Sequence, residues 1–227
     1  MDDKQLVGLS AARKIQDGMT VGLGTGSTAN CFIEALAQRC RSENLRVTAV
    51  ASSPISAIQA SALGLPLVSL EQLSKLDVYV DGADEVAPDL TLLKGRGQDL
   101  VREKILARAA GQFWVLADRS KLVTRVGEKF PTPIEVWPFA WQLVQSQLKA
   151  EGIDSKLRIK ESGVALTSAG TFVLDAQFPP FWEAAAINRF LNDLPGVVEH
   201  GIFLNLASLV LIATDGQVEE RRRSNDA

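Results

Sequence analysis

Residues Leu76–Lys104 read LDVYVDGADEVAPDLTLLKGRGQDLVREK. The stretch opens on a short apolar strand, Asp77–Val80. Three acids follow at that strand's carboxyl end, Asp81, Asp84 and Glu85, spaced by Gly82 and Ala83. Small residues there let a bound molecule come close to the backbone. A second apolar stretch, Leu90–Leu93, runs into Lys94-Gly95-Arg96-Gly97, and a helix then begins with Glu103 in its first turns. In an open α/β sheet, ligands sit outside the carboxyl ends of the strands. Two carboxylates, one ammonium and one further carboxylate are therefore expected to converge there. Such a set suits acid–base chemistry on a small, polar, anionic molecule.

Taken singly, these residues say less. An aspartate after a strand is commonly a turn or cap residue, and a lone lysine such as Lys94 is commonly solvated. Glu103 admits two readings. Its helical neighbours at i−3, i+3 and i+4 are Leu100, Leu106 and Ala107, so its face is largely apolar. No basic residue stands four positions away, and Asp99, four before it, would repel it. Either the carboxylate reaches out to water, or it is half desolvated and poised as a base.

Outward from this stretch, strands and helices alternate. Leu6, Leu9, Ala12 and Ile15 repeat at helical spacing over Lys4–Asp17, and Gly18 stops the helix. Thr20–Leu23 is a short strand, and Gly24-Thr25-Gly26-Ser27-Thr28 leads into a helix running through Cys40. A glycine-rich turn between strand and helix binds phosphate through backbone N–H groups and the helix dipole. Thr25, Ser27 and Thr28 add hydroxyls; the plainer reading is a tight turn that needs glycine for its backbone alone. The turn is not a Walker A loop, because no Lys-Ser/Thr follows at the required spacing. It does fit the relaxed dinucleotide fingerprint Gly24-x-Gly26-x-x-Ala29. The next strand, Arg46–Val50, however, ends in Ala51-Ser52-Ser53 and not in the acid that would hold a ribose hydroxyl. A helix over Ile55–Leu63, a short strand at Leu67–Ser69 and a buried strand at Phe113–Ala117 complete this part. Asp118-Arg119-Ser120-Lys121 lies just past the last strand end. The alternation predicts an α/β fold with a doubly wound, mostly parallel, Rossmann-like sheet.

Prolines in Lys129-Phe130-Pro131-Thr132-Pro133 mark a boundary. Beyond it come strand (Ile134–Trp137), helix (Pro138–Glu151), strands (Lys156–Ile159 and Phe172–Ala176), helix (Phe181–Leu194) and strand (Val197–His200). That βαββαβ order is the ferredoxin-like split motif. The expected division is a Rossmann-like domain over 1–128 and 203–227, and a smaller α+β ferredoxin-like domain over 129–202. Leu209–Ala213 is a strand returning to the first sheet. Trp137, Phe139 and Trp141 are apolar bulk for a core or a subunit interface. Arg221-Arg222-Arg223 reads as part of a solvated tail.

The 227 residues are 46% hydrophobic and 22% charged, with a net charge of −3. These values suit a globular enzyme and disfavour nucleic acid as a partner. Cys31 and Cys40 would lie about 13 Å apart along one helix, too far for a disulfide, which fits a reducing cytoplasm. No apolar run is long enough to span a membrane, and no Cys/His cluster suggests a metal. The single histidine, His200, has no nucleophile elbow near it and reads as a strand-end residue.

The chain resembles ribose-5-phosphate isomerases of the A type. The blocks that carry the resemblance are GLGTGST (22–28), ASS (51–53), YVDGADEV (79–86), KGRG (94–97) with REK (102–104), ADRSK (117–121), FPTPIEV (130–136) and PGVVEHGIF (195–203). The resemblance implies interconversion of ribose 5-phosphate and ribulose 5-phosphate, without metal or organic cofactor, by a homodimer or homotetramer. It puts substrate binding on Thr25, Gly26, Ser27 and Thr28, on Asp81, Gly82, Ala83 and Asp84, on Lys94, Gly95, Arg96 and Gly97, and on Lys121, with Lys4 as a further phosphate-side lysine. It implies Glu103 as general base, with Asp81, Asp84 and Lys94 completing the catalytic set. Two departures stand out. Gln98-Asp99 replaces small residues after KGxG, so an acid near the base is expected to disfavour its ionisation or reshape the loop. Ser168-Ala169-Gly170-Thr171 replaces a more polar turn, expected to lie away from the site. Two rival readings are a sugar-phosphate-binding protein without turnover, which would normally carry a DNA-binding segment not seen here, and an acyl-CoA transferase-like enzyme with a glutamate nucleophile.

Overall fold

The structure is a computed structural model that describes residues 2–97, 99–161 and 163–223. Gln98, one of the two departures just noted, and the final SNDA, 224–227, lie outside the described residues.

Down the chain, α1 (Asp3–Lys14) begins on a capping box in which Asp2 and Gln5 exchange backbone and side-chain hydrogen bonds. It stops short of Asp17, whose carboxylate instead receives the amide and guanidinium of Arg46. Then come β1 (Thr20–Leu23), α2 (Ser27–Ser42), β2 (Thr48–Ala51), α3 (Pro54–Ala62) and β3 (Leu76–Gly82). β3 outruns its apolar pattern, because Asp81 and Gly82 continue the ladder opposite Val115 and Leu116. Leu67–Ser69 makes only a single bridge, Leu67 to Ala49. β4 (Glu85–Val86) and β5 (Leu92–Leu93) form a hairpin. Of the apolar stretch Leu90–Leu93, Leu92 and Leu93 form strand, while Leu90 has φ +63 in the turn before it. Next are α4 (Leu100–Ala109), β6 (Ala110–Asp118), β7 (Thr132–Val136), α5 (Trp141–Ala150), β8 (Asp154–Leu157), β9 (Ile159–Lys160), β10 (Gly163–Val164) and β11 (Phe172–Gln177). The described chain closes with α6 (Ala184–Asp193), β12 (Val197–His200), β13 (Ile202–Phe203), β14 (Leu209–Thr214) and β15 (Gln217–Arg222).

The chain divides into two compact units. One holds Met1–Ala83, Arg102–Lys121 and Leu206–Ala227; the other holds Asp84–Val101 and Leu122–Asn205. The first is built on a six-stranded sheet, order β15-β14-β6-β3-β1-β2, parallel except for β15. β1 has β2 on one side and β3 on the other. The connections after these strands therefore part at the carboxyl ends of β1 and β3, where open α/β sheets bind ligands. Val21, Leu23, Phe32, Leu36, Val80, Leu116 and Leu211 are among its core residues. Arg221 and Arg222 are not in a solvated tail. Asp215 and Gly216, at φ +52 and +79, fold the chain back as a tight hairpin, so both arginines pair with β14 in β15.

The second unit has a four-stranded antiparallel sheet, order β12-β7-β11-β8, with α5 and α6 in the connections. This is the ferredoxin-like arrangement. Ile134, Val136, Val144, Leu148, Leu174, Ile187 and Leu191 pack its core. β13, β5 and β4 form a small separate sheet in the same unit.

Candidate active site

In the first unit, Leu23 lies beside Val80 in the β1–β3 register, so Gly24 comes level with Asp81. A Cβ on Gly24 would stand 2.1 Å from Asp81 Oδ1, which is why only glycine fits. Asp81 is wholly buried. Its Oδ1 accepts from the Thr25 amide at 3.1 Å and the Gly82 amide at 2.7 Å, and its Oδ2 accepts from the Tyr79 hydroxyl at 2.5 Å. A buried carboxylate needs such donors to stay charged. Tyr79 is stacked on Phe113 at 5.0 Å between centroids. Burial pushes its phenol well above the ordinary value, the Asp81 and Glu103 carboxylates add to this, and a Ser52 hydrogen bond opposes it. Tyr79 is therefore a fixed donor. The Thr25 hydroxyl donates to Ser53 Oγ at 2.7 Å and lies 2.9 Å from Ser52 Oγ. The 51–53 block is thus a buried hydroxyl pad against the glycine turn.

α2 starts immediately after that turn. Gly26, at φ +120, is its N-cap and brings no side chain to the helix N–H groups. Ser27 is exposed, and its Oγ accepts from the Lys4 ammonium at 2.9 Å. Lys121 closes the one-turn helix after β6. Glu103 does not reach out to water: it is 4% exposed, and Leu100, Leu106 and Ala107 around it are buried. Glu103 and Asp81 each lie within electrostatic reach of Tyr79 and help hold its phenol above the ordinary value.

In the second unit, Asp84 donates its amide to Leu93 O at 2.9 Å and accepts from the Arg96 amide at 3.1 Å. Lys94 is 4% exposed, not a surface lysine. Its amide donates to Gly201 O at 2.9 Å, and its ammonium lies 5.5 Å from the centre of the Phe203 ring. Gly95 has φ +102, and a Cβ there would meet Leu100 Cδ2 at 2.1 Å. Arg96 and Gly97 are exposed, and the Arg96 guanidinium sits 3.9 Å from the centre of the Phe130 ring. Arg158, paired with Asp175, donates to Gly95 O at 2.9 Å and Arg96 O at 3.3 Å. Glu85, the third acid of DGADE, is a loop clamp. Its buried carboxylate accepts from the amides of Gly127, Lys129 and Phe130 at 2.6, 2.7 and 2.8 Å.

The model of the family described as ribose 5-phosphate isomerase A (phosphoriboisomerase A) matches residues 48–217. The chain belongs to that family. A ribose-5-phosphate isomerase A of Thermosynechococcus vestitus is 44% identical over 223 residues, covering 96% of this chain and 94% of its own. One from Thermococcus kodakarensis is 41% identical, covering 97% of each. Among solved structures, ribose 5-phosphate isomerase A of Methanocaldococcus jannaschii superposes with a TM-score of 0.93 at 38% identity, over 97% of this chain and 98% of its own. A D-ribose-5-phosphate isomerase in complex with phospho-erythronic acid gives 0.94, also at 38% identity, over 98% of this chain and all of its own.

The departures from the family pattern read differently in three dimensions. Asp99 precedes α4 and has φ +64, so it has no helical i−4 relation to Glu103. Its carboxylate accepts from the Ser168 amide at 2.7 Å. The turn at 168–171, expected to lie away from the site, therefore holds Asp99, the second residue after the lysine–glycine loop, and the two departures are in contact through Asp99 and Ser168. His200 is buried, 3.1 Å from Asn192 Oδ1 through Nε2, and its Nδ1 accepts from the Ile202 amide. Those contacts are structural. Among the described residues no cluster of three His, Cys, Asp or Glu side chains is arranged to hold a metal ion, and no helix is long and apolar enough to cross a membrane.

Sequence reading missed Tyr79, Ser52 and Ser53. Period two was the available signal for the first: residues i and i+2 of a strand share a face, so Tyr79 and Asp81 point the same way.

Proposed function

We propose that this chain interconverts D-ribose 5-phosphate and D-ribulose 5-phosphate through an enediolate, with Glu103 as the base. In the aldose-to-ketose direction the Glu103 carboxylate takes the proton from C2. It returns that proton to C1 while the O2 hydroxyl proton passes to O1. Lys94 stabilises the negative charge that develops on the oxygens. Asp81 and Asp84 move protons among the hydroxyls and assist ring opening. The phosphate is bound by the 25–28 turn with Lys121 and Lys4, and the Gly82, Ala83, Gly95, Arg96 and Gly97 backbone contacts the sugar. The observation that carries this reading is the burial of Glu103 in the same unit as a buried carboxylate, Asp81, that accepts from Thr25, Gly82 and Tyr79. Membership of the isomerase family supports it.

The test is a coupled assay of ribose 5-phosphate turnover by EDTA-treated protein with no metal or nucleotide added. Full activity is expected. Binding without turnover would make the chain a sugar-phosphate receptor, and activity restored only by Mg²⁺ would make the acids metal ligands. The reading includes a homodimer or homotetramer assembled through the ferredoxin-like unit. Trp137 and Phe139, stacked on each other at 6.3 Å and exposed along with Leu143, support a second copy of the chain as the cover. Two free cysteines suit a reducing cytoplasm.

A further inference from the structure

Glu135 lies on β7 and is wholly buried. A carboxylate in such a place is costly unless its lone pairs are satisfied. Its Oε1 accepts from the Val101 amide at 3.1 Å and its Oε2 from the Thr171 hydroxyl at 2.6 Å, and the Leu100 amide lies close enough to help lower the group's pKa. Thr171 Oγ1 is in turn 2.6 Å from Thr167 Oγ1. Burial pushes the Glu135 carboxyl group up, and the Thr171, Val101 and Leu100 donors pull it back.

Leu100 and Val101 are the first two residues of α4, the helix that carries Glu103. Helices are ordinarily capped by the residue just before them. Here that residue, Asp99, is committed to Ser168, and the cap comes from a sheet strand 34 residues away. A cap on a flexible preceding residue only favours helix formation. A cap borne by a buried strand also fixes the height and rotation of the first turn. Glu103 follows Val101 by two residues and inherits that setting.

We propose that Glu135, backed by Thr171, is a positioning residue for the isomerisation: it fixes the first turn of α4 and so aims the Glu103 carboxylate. The inference rests on the reading of Glu103 as the base. A misplacement of about 1 Å costs up to about a hundredfold in rate. Glu135→Ala is therefore expected to lower kcat by about ten- to a hundredfold with KM changed little. Glu135→Gln, which keeps an acceptor for both amides, restores most of the rate, and Thr171→Val shows a smaller loss in kcat.

The experiment measures kcat and KM for ribose 5-phosphate in these variants, well below each melting temperature, alongside Glu103→Gln and the Glu103→Gln/Glu135→Ala double variant. If Glu135 acts through Glu103, its removal costs nothing further in the double variant. Wild-type kcat in a less stable Glu135→Ala protein overturns the proposal, as does an equal further loss in the double variant. Should Glu135→Ala fail to fold, unchanged kcat in Thr171→Val overturns it. An active Glu103→Gln removes the base reading and the proposal with it. An inactive Glu103→Gln beside a fully active Glu135→Ala removes the positioning role alone.

Discussion

Two helices in this chain begin just after a glycine-rich turn, and their first turns are treated in opposite ways. α2 follows Gly24–Gly26, and its N-cap glycine leaves the helix N–H groups without a side-chain partner. α4 follows Lys94–Gly97, and its first N–H groups are filled by the Glu135 carboxylate. A helix N-terminus carries partial positive charge and orphan donors. Left open, it suits a bound anion; filled by the protein's own anion, it becomes a rigid mount. On the proposed reading, the difference separates two tasks: a seat for the substrate phosphate on α2, and a fixed platform for a reacting carboxylate on α4.

The sharpest break would come at Glu103. Glu103→Gln keeps size and hydrogen-bonding capacity, so the circular dichroism spectrum should stay native while kcat falls at least about a hundredfold. Exchange of the substrate C2 proton in D₂O should fall with it. Turnover within a few-fold of wild type would make Glu103 an ordinary buried helix residue and move attention to Asp81 or Asp84.

Next is an attempt to give α2 the treatment that α4 receives. Ser27→Asp places an acid in the first turn of α2, which favours the helix itself. It should repel the substrate phosphate and raise KM by about tenfold or more, in line with the loss of a charged contact of about 1.5 kcal/mol. Thr28→Ala and Lys121→Ala should raise KM by similar or smaller factors, with kcat changed less, because contacts remote from the reacting carbons act on ground and transition states alike. Collapsed kcat at unchanged KM would place these residues at the chemistry instead.

A smaller effect is expected at Tyr79. Tyr79→Phe removes a donor to the buried Asp81 carboxylate, at a cost of about 1.5–3 kcal/mol in urea unfolding. No loss of stability would mean that the phenol contributes nothing to holding that charge. Phe139→Glu should leave both helix starts intact and kcat per chain unchanged, while sedimentation shifts toward smaller species. Unchanged sedimentation would remove the 137–143 surface from the assembly.

Much of this was open to reading in the sequence, and the limits have physical causes. The DGADE and KGRG blocks flag themselves because acids, a lysine and glycines crowd together at strand ends, where backbone pairing stops and ligands bind. Local pattern could not say that Glu85 is a loop clamp, because its three donors lie over 40 residues downstream. Glu135 was visible only as part of an apolar strand, for the same reason. The helical-spacing argument for Asp99 met a boundary: it needs a helix running back to residue 99, and α4 begins at Leu100 after a positive φ. The Asp215-Gly216 turn was legible as a hairpin signal, but the basic run after it drew the reading toward a tail.

The order in which the segments are strung has a consequence for synthesis. β6 pairs on one side with β3, close behind it in the chain, and on the other with β14, which begins at Leu209. α1, far ahead of β14 in the chain, also packs against it. Every residue that separates β6 from β14 must therefore be translated before that sheet edge is covered. Most of those residues, 122–205, belong to the second unit, whose chain is complete while the first still waits. A nascent chain paused anywhere in that interval holds open an unpaired strand whose Phe113–Ala117 run is buried in the finished sheet. Such edges template aggregation, so the pace of elongation through 122–205, and any chaperone that shields β6 during it, sets how much of the first unit is closed correctly.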